Sequence, residues 1–532
     1  MVETVEKIKA VKTVDTVEAP LPHPDPATDY LAPHIVPTPV HLPDTASAPG
    51  SGTDAAPDPA LPAAVPLPWP PPPGPGLGTL LHAVYGLTRA QWLTALDRLP
   101  LVGGFDELAV EPGGGPVLRR PVPSVGALYG VGLHCVLPDG CYRYDPLHHR
   151  LLPIRSGDHR AAIGIPPTAE FGWVCTVSVR TIAARYGEFG YRFGCLETGV
   201  VTAQCEVVAP SAGLRAARVV PFDPAVAAGL LRLDPLADPV TEVVAFHPAP
   251  AAADAAPPAE YPNEPATALR APEPPRGPVD ALLPRTAALL RALHRGPAPD
   301  HSTVELPRAH PLDLAHGLAR RRSALRGLSR LPVTGVDFAT VLSAAITPED
   351  GGFLFCYVNE VTGLPRGLFR YLPGRHRLLP ISVGSPGPAL ADCAMQEFAR
   401  EGFHDSAAGL IWAADPADGL RTHGADAIRL RYTRVGAAAH RACLAAATHG
   451  LAARLHADAL PAEVDQLLGI QAELPASTLL LQLGFPTPGT ARPEHRLGPA
   501  TPHPPNPTDD SHSHGHKPTK HDHDRGHRHN RP

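Results

Sequence analysis

The sequence predicts an α+β protein in which one fold occurs twice along a chain of 532 residues. Two segments carry nearly the same hairpin sequence: CYRYDPLHHRLLPI at Cys141–Ile154 and LFRYLPGRHRLLPI at Leu368–Ile381. An apolar strand leads into each hairpin, and a stretch of small and apolar residues at helical spacing follows it. A mainly antiparallel sheet covered by helices is therefore expected in each copy.

The two copies keep a constant register on either side of one length difference. Arg143 and Arg370 are 227 positions apart, whereas Gly199 and Gly436 are 237 apart. The second copy should therefore have about ten additional residues between its hairpin and its central helix.

Each repeated element follows from its own pattern. Apolar, β-branched and aromatic runs predict strands at VGLHCVL (131–137) and FLFCYVNEV (353–361), and closing strands at TEVVAF (241–246) and STLLLQL (477–483). Small and apolar residues at helical spacing, ending in Gly-Leu, predict buried central helices at Gly194–Gly213 and Val435–Gly450.

Composition divides the chain into five segments. The 69 prolines crowd the ends and the middle, which indicates disordered or extended segments around folded units. The prediction is a disordered Pro/Ala-rich segment (1–76), a first domain (77–250), a Pro/Ala-rich linker (251–277), a second domain (278–490) and a His-rich disordered tail (491–532). We call the two domains the first half and the second half.

Charge and composition exclude several classes of function. The net charge of −6 gives no case for nucleic-acid binding. No apolar run is long enough to cross a bilayer and the N-terminus lacks an apolar signal core, so a cytoplasmic protein without a membrane partner is expected. The eight cysteines form no CxxC pair and are expected to be buried free thiols.

Several familiar site motifs are absent from the sequence. It has no nucleophilic triad pattern, no P-loop and no dinucleotide-binding GxGxxG. Alternating histidines in the tail can chelate transition metals, but no fixed spacing defines a site there. No functional metal site is therefore predicted.

The stretch Arg119–Gly130, RRPVPSVGALYG, has the composition of a ligand-binding loop. Its two prolines fix an extended entry, and Ser124 and Gly126 leave backbone N–H groups accessible. Arg119 and Arg120 add donors suited to an anion. A Pro-rich connector before a helix is the alternative interpretation.

The continuation of this stretch resembles the SagB/ThcOx-type dehydrogenases of the nitroreductase family. Those enzymes carry Pro-Ser-x-Gly-Ala-Leu-Tyr, a strand, a Gly-x-Tyr-x-Tyr-Asp-Pro hairpin, His-x-Leu and Gly-Asp. The matching residues are Pro123, Ser124, Gly126, Ala127, Leu128, Tyr129, Gly140, Tyr142, Tyr144, Asp145, Pro146, His149, Leu151, Gly157 and Asp158. The resemblance implies a nitroreductase-like fold, FMN at an interface between two copies of it, and oxidation of azoline rings to azoles in ribosomally made peptides. Two copies on one chain then predict an intramolecular pseudo-dimer.

The resemblance also implies a phosphate clamp, which is found in the second half. The family's Arg-Arg-Ser-x-x-Arg corresponds to Arg321, Arg322, Ser323 and Arg326, and guanidinium and hydroxyl donors near a helix start suit a phosphate dianion. The counterpart in the first half, LTRAQWLTALDRLPLVGG, lacks it, and the second half has AAITPEDGG in place of Pro-Ser-x-Gly-Ala. Because family dimers take the clamp from one subunit and Pro-Ser-x-Gly from the other, one complete FMN site per chain is predicted. A solvated basic helix face is the alternative for the arginines.

The predicted catalytic residues are Tyr186 and Arg185. ARYGEFGYRFGCLETG (Ala184–Gly199) resembles the family's Lys-Tyr-x-x-Arg-Gly-Tyr-Arg-Tyr, with Arg185 in place of the lysine. Arginine stays protonated, so it can supply positive charge but cannot act as a base. Tyr186, with a pKa lowered by its neighbours, is the predicted base, and a structural tyrosine is the alternative.

The function predicted from these features is an FMN-dependent azoline dehydrogenase. Its expected partners are a modified precursor peptide and a cyclodehydratase complex, and the pseudo-dimer would act as a monomer. Two alternatives stay open: an NAD(P)H-dependent nitro- or quinone reductase, and a non-catalytic scaffold for a cyclodehydratase.

Overall fold

The structure is a computed structural model that describes residues 30–31, 63–69, 76–93, 115–249, 303–324, 327–347, 350–414, 416–470, 474–487 and 494–497. The predicted linker (251–277) lies outside the described residues, and so does the predicted tail apart from residues 494–497.

The first half is built on a seven-stranded antiparallel sheet with the order β1-β6-β5-β4-β7-β9-β8. Its strands are β1 (Val65–Pro66), β4 (Val131–Leu137), β5 (Gly140–Asp145), β6 (Arg150–Ser156), β7 (Phe171–Val177), β8 (Leu214–Arg218) and β9 (Val240–Pro248). The predicted entering strand and closing strand are both confirmed.

The second half is built on an eight-stranded sheet with the order β10-β16-β15-β13-β17-β19-β11, and β18 also pairs with β19. Its strands are β10 (Val304–Glu305), β11 (Leu328–Ser329), β13 (Phe353–Val358), β15 (Gly367–Leu372), β16 (Arg377–Val383), β17 (Ala408–Ala413), β18 (Ala452–His456) and β19 (Ser477–Pro486). A short parallel pair lies outside this sheet: β12 (Val333–Thr334) with β14 (Val361–Thr362).

Irregular features recur at corresponding places in the two sheets. The first hairpin has a β-bulge between Cys141 and Tyr142, and the second has one between Leu368 and Phe369. The Tyr144 hydroxyl lies 2.9 Å from His149 Nδ1, and Tyr371 and His376 have the same contact at the same distance. Both histidines have positive φ, 47° and 49°.

Helices cover the sheets, and two long ones lie at the centre. In chain order they are α1 (Leu77–Tyr85), α2 (Val179–Tyr186), α3 (Gly190–Val208), α4 (Pro224–Leu230), α5 (Leu314–Leu318), α6 (Gly335–Ala344), α7 (Gly387–Asp392), α8 (Glu397–Asp405), α9 (Pro416–His423), α10 (Asp426–Thr448) and α11 (Pro461–Leu467). The predicted central helices correspond to α3 and α10. Helix α10 begins nine residues before the predicted Val435, because its first turns contain arginines that hide the apolar spacing.

The central helices α3 and α10 cross at a reciprocal pair of glycines. A Cβ on Gly199 would lie 1.9 Å from the Thr433 carbonyl oxygen, and a Cβ on Gly436 would lie 2.0 Å from the Leu196 carbonyl oxygen. Only glycine permits so close an approach of two backbones. The crossing joins the halves, and one hydrophobic cluster there contains Ile182 and Cys195 of the first half together with residues of the second.

The additional residues of the second half lie between β16 and β17. Helices α7 and α8 occupy this connection, whereas the connection between β6 and β7 contains a single turn of 3₁₀ helix, Arg160–Ile163. This position agrees with the sequence register, which places the length difference between the hairpin and the central helix.

Parts of the segments predicted to be disordered have defined contacts in the structure. Val65–Pro66 pairs with β6, and Leu31 is 4% exposed within the hydrophobic cluster. Strand β2 (Arg89–Leu93) pairs with both β3 (Gly115–Arg119) and β20 (Glu494–Arg496). Proline-rich composition hides these contacts, because single apolar residues and short edge strands leave no periodic signal.

All eight cysteines are buried and free, as predicted. Among the described helices, none is long and apolar enough to cross a membrane.

Candidate functional site

The loop between β3 and β4 holds the Pro-Ser-x-Gly-Ala residues in a strained conformation. After Pro121 and Pro123 the chain forms a 3₁₀ turn at Val125–Ala127, and Gly126, Ala127 and Tyr129 have φ of 56°, 58° and 51°. Positive φ is easy for glycine but costs a non-glycine residue on the order of 1–3 kcal/mol, so other contacts must hold the loop.

Glu197 of α3 supplies those contacts. Its Oε1 accepts hydrogen bonds from the Ser124 hydroxyl at 2.7 Å and from the Val125 N–H at 2.6 Å, and the Ser124 hydroxyl oxygen accepts from the Tyr129 N–H at 2.7 Å. Burial raises the pKa of Glu197 to about 7, against the lowering effect of these bonds and of Arg120. In this structure the Ser124 hydroxyl therefore stabilises the loop, and its role as a cofactor donor stays a prediction.

Arg119 and Arg120 hold the loop as well. Arg119 Nε donates to Gln91 Oε1 at 3.2 Å. The Arg120 guanidinium lies 4.0 Å from the centre of the Tyr85 ring and 4.9 Å from that of Tyr129, which are cation–π distances. These contacts differ from the anion-binding role that the sequence predicted for the two arginines.

The predicted phosphate clamp of the second half lies against this loop of the first half. Arg321 is 6% exposed, and its Nε donates to the Pro121 carbonyl at 3.3 Å. Arg322 Nη1 donates to the carbonyls of Ala319 and Arg321 at 3.1 and 2.9 Å. These bonds fix the positions of both guanidinium groups.

The clamp does not begin a helix, contrary to the prediction. It follows the short helix α5, and Ser323 forms a parallel bridge with Ala453 of β18. Because Arg321, Arg322 and Ser323 are not helical, the alternative of a solvated basic helix face is wrong for the described residues of the clamp. Arg326 lies outside the described residues.

The two predicted catalytic residues lie against the glycine of the loop. A Cβ on Gly126 would lie 2.9 Å from the Tyr186 hydroxyl oxygen and 3.0 Å from Arg185 Nη1. Both residues come from the last turn of α2, so this turn lies directly against the loop. Gly126 and the pair Arg185 and Tyr186 belong to separate sequence motifs, and the structure brings them together.

The prediction of a lowered pKa for Tyr186 is wrong. Burial raises the pKa of its hydroxyl, Glu197 and Asp458 raise it further, and only Arg185 opposes them. Tyr186 therefore remains protonated near neutral pH, so its hydroxyl is suited to donate a hydrogen bond rather than to accept a proton.

Asp458 is a candidate residue that sequence reasoning missed. It follows β18, is 8% exposed, and neither carboxylate oxygen has a hydrogen-bond partner among the described residues. Burial raises its pKa to about 7. A charged residue within the apolar LHADALP was the available signal, because such a position seldom holds an unpaired carboxylate.

His456, two residues earlier, is also buried without a hydrogen-bond partner among the described residues. Burial lowers the pKa of its imidazole to about 3, and its ring lies edge-on to Phe403 with centroids 5.4 Å apart. A neutral histidine packed on an aromatic ring is a core residue.

A cavity of about 80 Å³ lies between the halves near these groups. Phe189 and Arg192 line it from the first half, and Ala457 and Ala459, the neighbours of Asp458, line it from the second. Leu31 also lines the cavity. The guanidinium carbon of Arg192 lies 4.5 Å from the centre of the Tyr30 ring.

Together these residues fit a phosphorylated ligand with a polar, planar ring. Arg321, Arg322 and Ser323 have the donor chemistry for a phosphate, and Gly126 permits close approach to the loop. The buried Asp458 carboxyl lacks a partner, and a polar ring edge would satisfy it.

Comparisons with known proteins agree with the fold. The model of the nitroreductase family matches residues 369–485. A crystal structure of a nitroreductase-like protein from Anabaena variabilis is similar, with a TM-score of 0.60 and 20% identity, over 77% of this chain and 88% of that one. No curated protein sequence matches the chain.

Two further solved structures are similar at lower scores. One is a nitroreductase-like protein of Exiguobacterium sibiricum in complex with FMN: TM-score 0.24, 13% identity, 35% of this chain and 96% of that one. The other is the E. coli microcin synthetase McbBCD complex with truncated pro-MccB17 bound: TM-score 0.26, 17% identity, 47% of this chain and 93% of that one. Scores this low say nothing about the ligands of this chain.

The similarity over 77% of the chain is too long for either half alone to supply. The chain therefore has a nitroreductase-like fold, and its residues 369–485 match the model of the nitroreductase family.

Proposed function

We propose that this chain is an FMN-dependent oxidoreductase with one flavin site, built from both halves of an intramolecular pseudo-dimer. One observation carries the proposal: Arg321 of the second half donates a hydrogen bond to Pro121, at the start of the Pro-Ser-x-Gly loop of the first half. The two motifs that the sequence divides between the halves are therefore in contact.

The recurring features of the two sheets support the pseudo-dimer. The strand order, the bulges and the Tyr–His contacts correspond, and the glycine contacts between α3 and α10 are reciprocal. Reciprocal contacts are characteristic of a two-fold interface, in which residue i meets j and j meets i.

A second site would have to be built from the counterpart of the clamp in the first half and the counterpart of the Pro-Ser-x-Gly loop in the second half. The contacts of these two segments support a single site. In the first half the counterpart of the clamp begins as β2, which is paired on both sides by strands. In the second half the counterpart of the Pro-Ser-x-Gly loop includes Asp350, which forms an ion pair with Arg441. Arg441 Nε also donates to the Ala344 carbonyl at 3.2 Å. Asp350 and Arg441 therefore bond to each other, and the described residues of β2 contain no arginine clamp.

The roles of this chain's residues follow from their charges. A bound FMN would supply the hydride acceptor. Asp458 would take up the proton from the substrate, because its pKa of about 7 lets it act as a base near neutral pH. Tyr186 would donate a hydrogen bond and Arg185 would stabilise developing negative charge.

The substrate class rests on the sequence resemblance to SagB/ThcOx-type dehydrogenases. An azoline ring in a precursor peptide would lose a proton to Asp458 and a hydride to the flavin, which converts it to an azole. A cyclodehydratase that forms the azoline is the expected partner. The match to the nitroreductase family supports the coarser assignment to the oxidoreductases.

The flavin content of the purified protein tests the single site. We expect one FMN per chain when the flavin is released and quantified against protein. Two per chain would refute the single site, and none would favour the scaffold alternative. Turnover of a nitroaromatic with NAD(P)H, without oxidation of an azoline peptide, would favour the reductase alternative.

The clamp predicts a specific loss of flavin affinity. Arg322→Ala should weaken FMN binding by about 10- to 150-fold, because a lost hydrogen bond to a charged group costs roughly 1.5–3 kcal/mol. Arg330→Ala is the matched control, since Arg330 lies nearby in sequence but pairs with Asp405 at the surface. Flavin fluorescence titration measures both affinities, and equal values would contradict the clamp.

A further inference from the structure

Three side chains from separate segments of the second half meet away from the proposed flavin site. His310 precedes α5, Asp337 lies in the first turn of α6, and His449 follows α10. One nitrogen of each histidine and one oxygen of Asp337 all lie within 4.8 Å of one another. We propose that His310, Asp337 and His449 form a binding site for a divalent transition-metal ion of the zinc class.

The distances suit such an ion. His449 Nδ1 lies 2.9 Å from Asp337 Oδ1, and His310 Nε2 lies 3.7 Å from the same oxygen. Zinc bonds of about 2.0–2.2 Å in a tetrahedral site separate neighbouring ligand atoms by roughly 3.3–3.5 Å. Changes of about half an ångström would bring these two distances to that spacing, and the two histidine nitrogens lie within 4.8 Å of each other. Two imidazoles and one carboxylate are a common zinc ligand set with one position left for water.

The ligand residues are held by partners outside the set. Asp337 Oδ2 accepts a hydrogen bond from the Thr334 hydroxyl at 2.7 Å, which leaves Oδ1 facing the histidines. The backbone N–H of His310 donates to Thr340 Oγ1 at 2.9 Å. Such outer contacts orient ligands and raise metal affinity.

Charge and access favour a cation at this position. His449 caps the C-terminus of α10, where the carbonyl ends of a helix attract positive charge. The His310 side chain is 51% exposed, so an ion can enter from solvent. Because His310 leads into α5 and then into Arg321, a bound ion would tie the clamp segment to the end of the central helix.

The competing explanation is an ion pair between Asp337 and a protonated histidine, without a metal. The two explanations differ in what the protein binds. Cobalt is the useful probe, because four-coordinate Co²⁺ has visible absorption bands and Zn²⁺ displaces it. The tail must not contribute to the measured Co²⁺ binding, because its histidines can chelate the same ions.

The parent for the experiment is therefore the 532-residue chain with the seven clustered histidines of the tail changed to glutamine: His512, His514, His516, His521, His523, His527 and His529. We expect this parent to bind one Co²⁺ per chain with four-coordinate bands. His449→Gln and Asp337→Asn should weaken binding by at least about 10- to 100-fold. His316→Gln, in the same segment as His310 but outside the cluster, should bind like the parent.

Thermal melting separates lost binding from misfolding. In EDTA the variants should melt with the parent, and added Zn²⁺ should raise the melting temperature of the parent and of His316→Gln but not of the ligand variants. If Asp337→Asn loses its fold with its helix cap, the exposed His310→Gln gives the same test. A parent that binds no Co²⁺, or ligand variants that bind it as tightly as the parent, would overturn the proposal.

Discussion

Gly436→Ala should severely destabilise the protein. The new methyl group would lie 2.0 Å from the Leu196 carbonyl oxygen, and backbone cannot move aside as a flexible side chain can. Overpacking of this kind costs about 3 kcal/mol or more, which lowers the melting temperature by roughly 4 °C or more in a folded unit of this size. Gly199→Ala, at the reciprocal contact, should have a similar effect. Thermal unfolding followed by circular dichroism measures both shifts.

Gly229→Ala is the matched control for these substitutions. Gly229 lies in α4, and a Cβ there would meet nothing within 4 Å. Alanine is the better helix former by about 0.8–1 kcal/mol, so this variant should melt at the same temperature or slightly higher. If Gly436→Ala melts with the wild type, the two central helices cannot approach as closely as described.

Asp458→Asn should abolish most of the proposed azoline oxidation. Asparagine keeps the shape of the side chain but cannot accept a proton, so the rate should fall by about 10²–10⁴-fold if Asp458 is the general base. Tyr186→Phe, which removes a hydrogen-bond donor, should cost less, and Arg185→Lys should stay active because the positive charge remains. The mass loss of two hydrogens from an azoline peptide, followed over time, measures all three.

The pH dependence gives an independent test of Asp458. Its pKa is raised to about 7 by burial, so the carboxylate that acts as base forms only as the pH rises through that value. The wild-type rate should therefore increase across pH 7, and the residual rate of Asp458→Asn should lack this increase. Flavin content should be unchanged in each variant. A flat wild-type profile, or a fully active Asp458→Asn, would remove Asp458 from the mechanism.

The main elements of the fold could be predicted because their signals are local. Strands such as β4 and β19 are continuous apolar runs, and the repeated hairpin gives the register of the two halves directly. The start of α10 could not be predicted, because Arg429 and Arg431 interrupt the apolar pattern there. Arg429 pairs with Asp426 one turn earlier in the helix, and it also donates to the Thr241 carbonyl at 2.8 Å, a contact with a segment that is distant in sequence.

The candidate site also contains residues that the sequence identifies and residues that it does not. Tyr186, Gly126 and the clamp residue Arg321 could be named from motifs, because each motif lies within a few residues. Glu197 and Asp458 could not be named, since their importance comes from burial and from neighbours on other elements. The direction of the Tyr186 pKa was missed for this reason: burial and two carboxylates outweigh the one arginine beside it in sequence.

The reciprocal glycine contact has a consequence for how such a chain can diverge. In a homodimer every substitution occurs in both subunits, at positions related by the two-fold axis, so a change that removes one clamp removes both. In a single chain a substitution occurs once, and the opposite position keeps its residue. Glycine is present at both contact positions of the crossing, Gly199 and Gly436. The clamp motif and the Pro-Ser-x-Gly motif occur once each. A single chain can therefore keep a reciprocal crossing between its halves while the segments beside that crossing differ, as the proposed single flavin site requires.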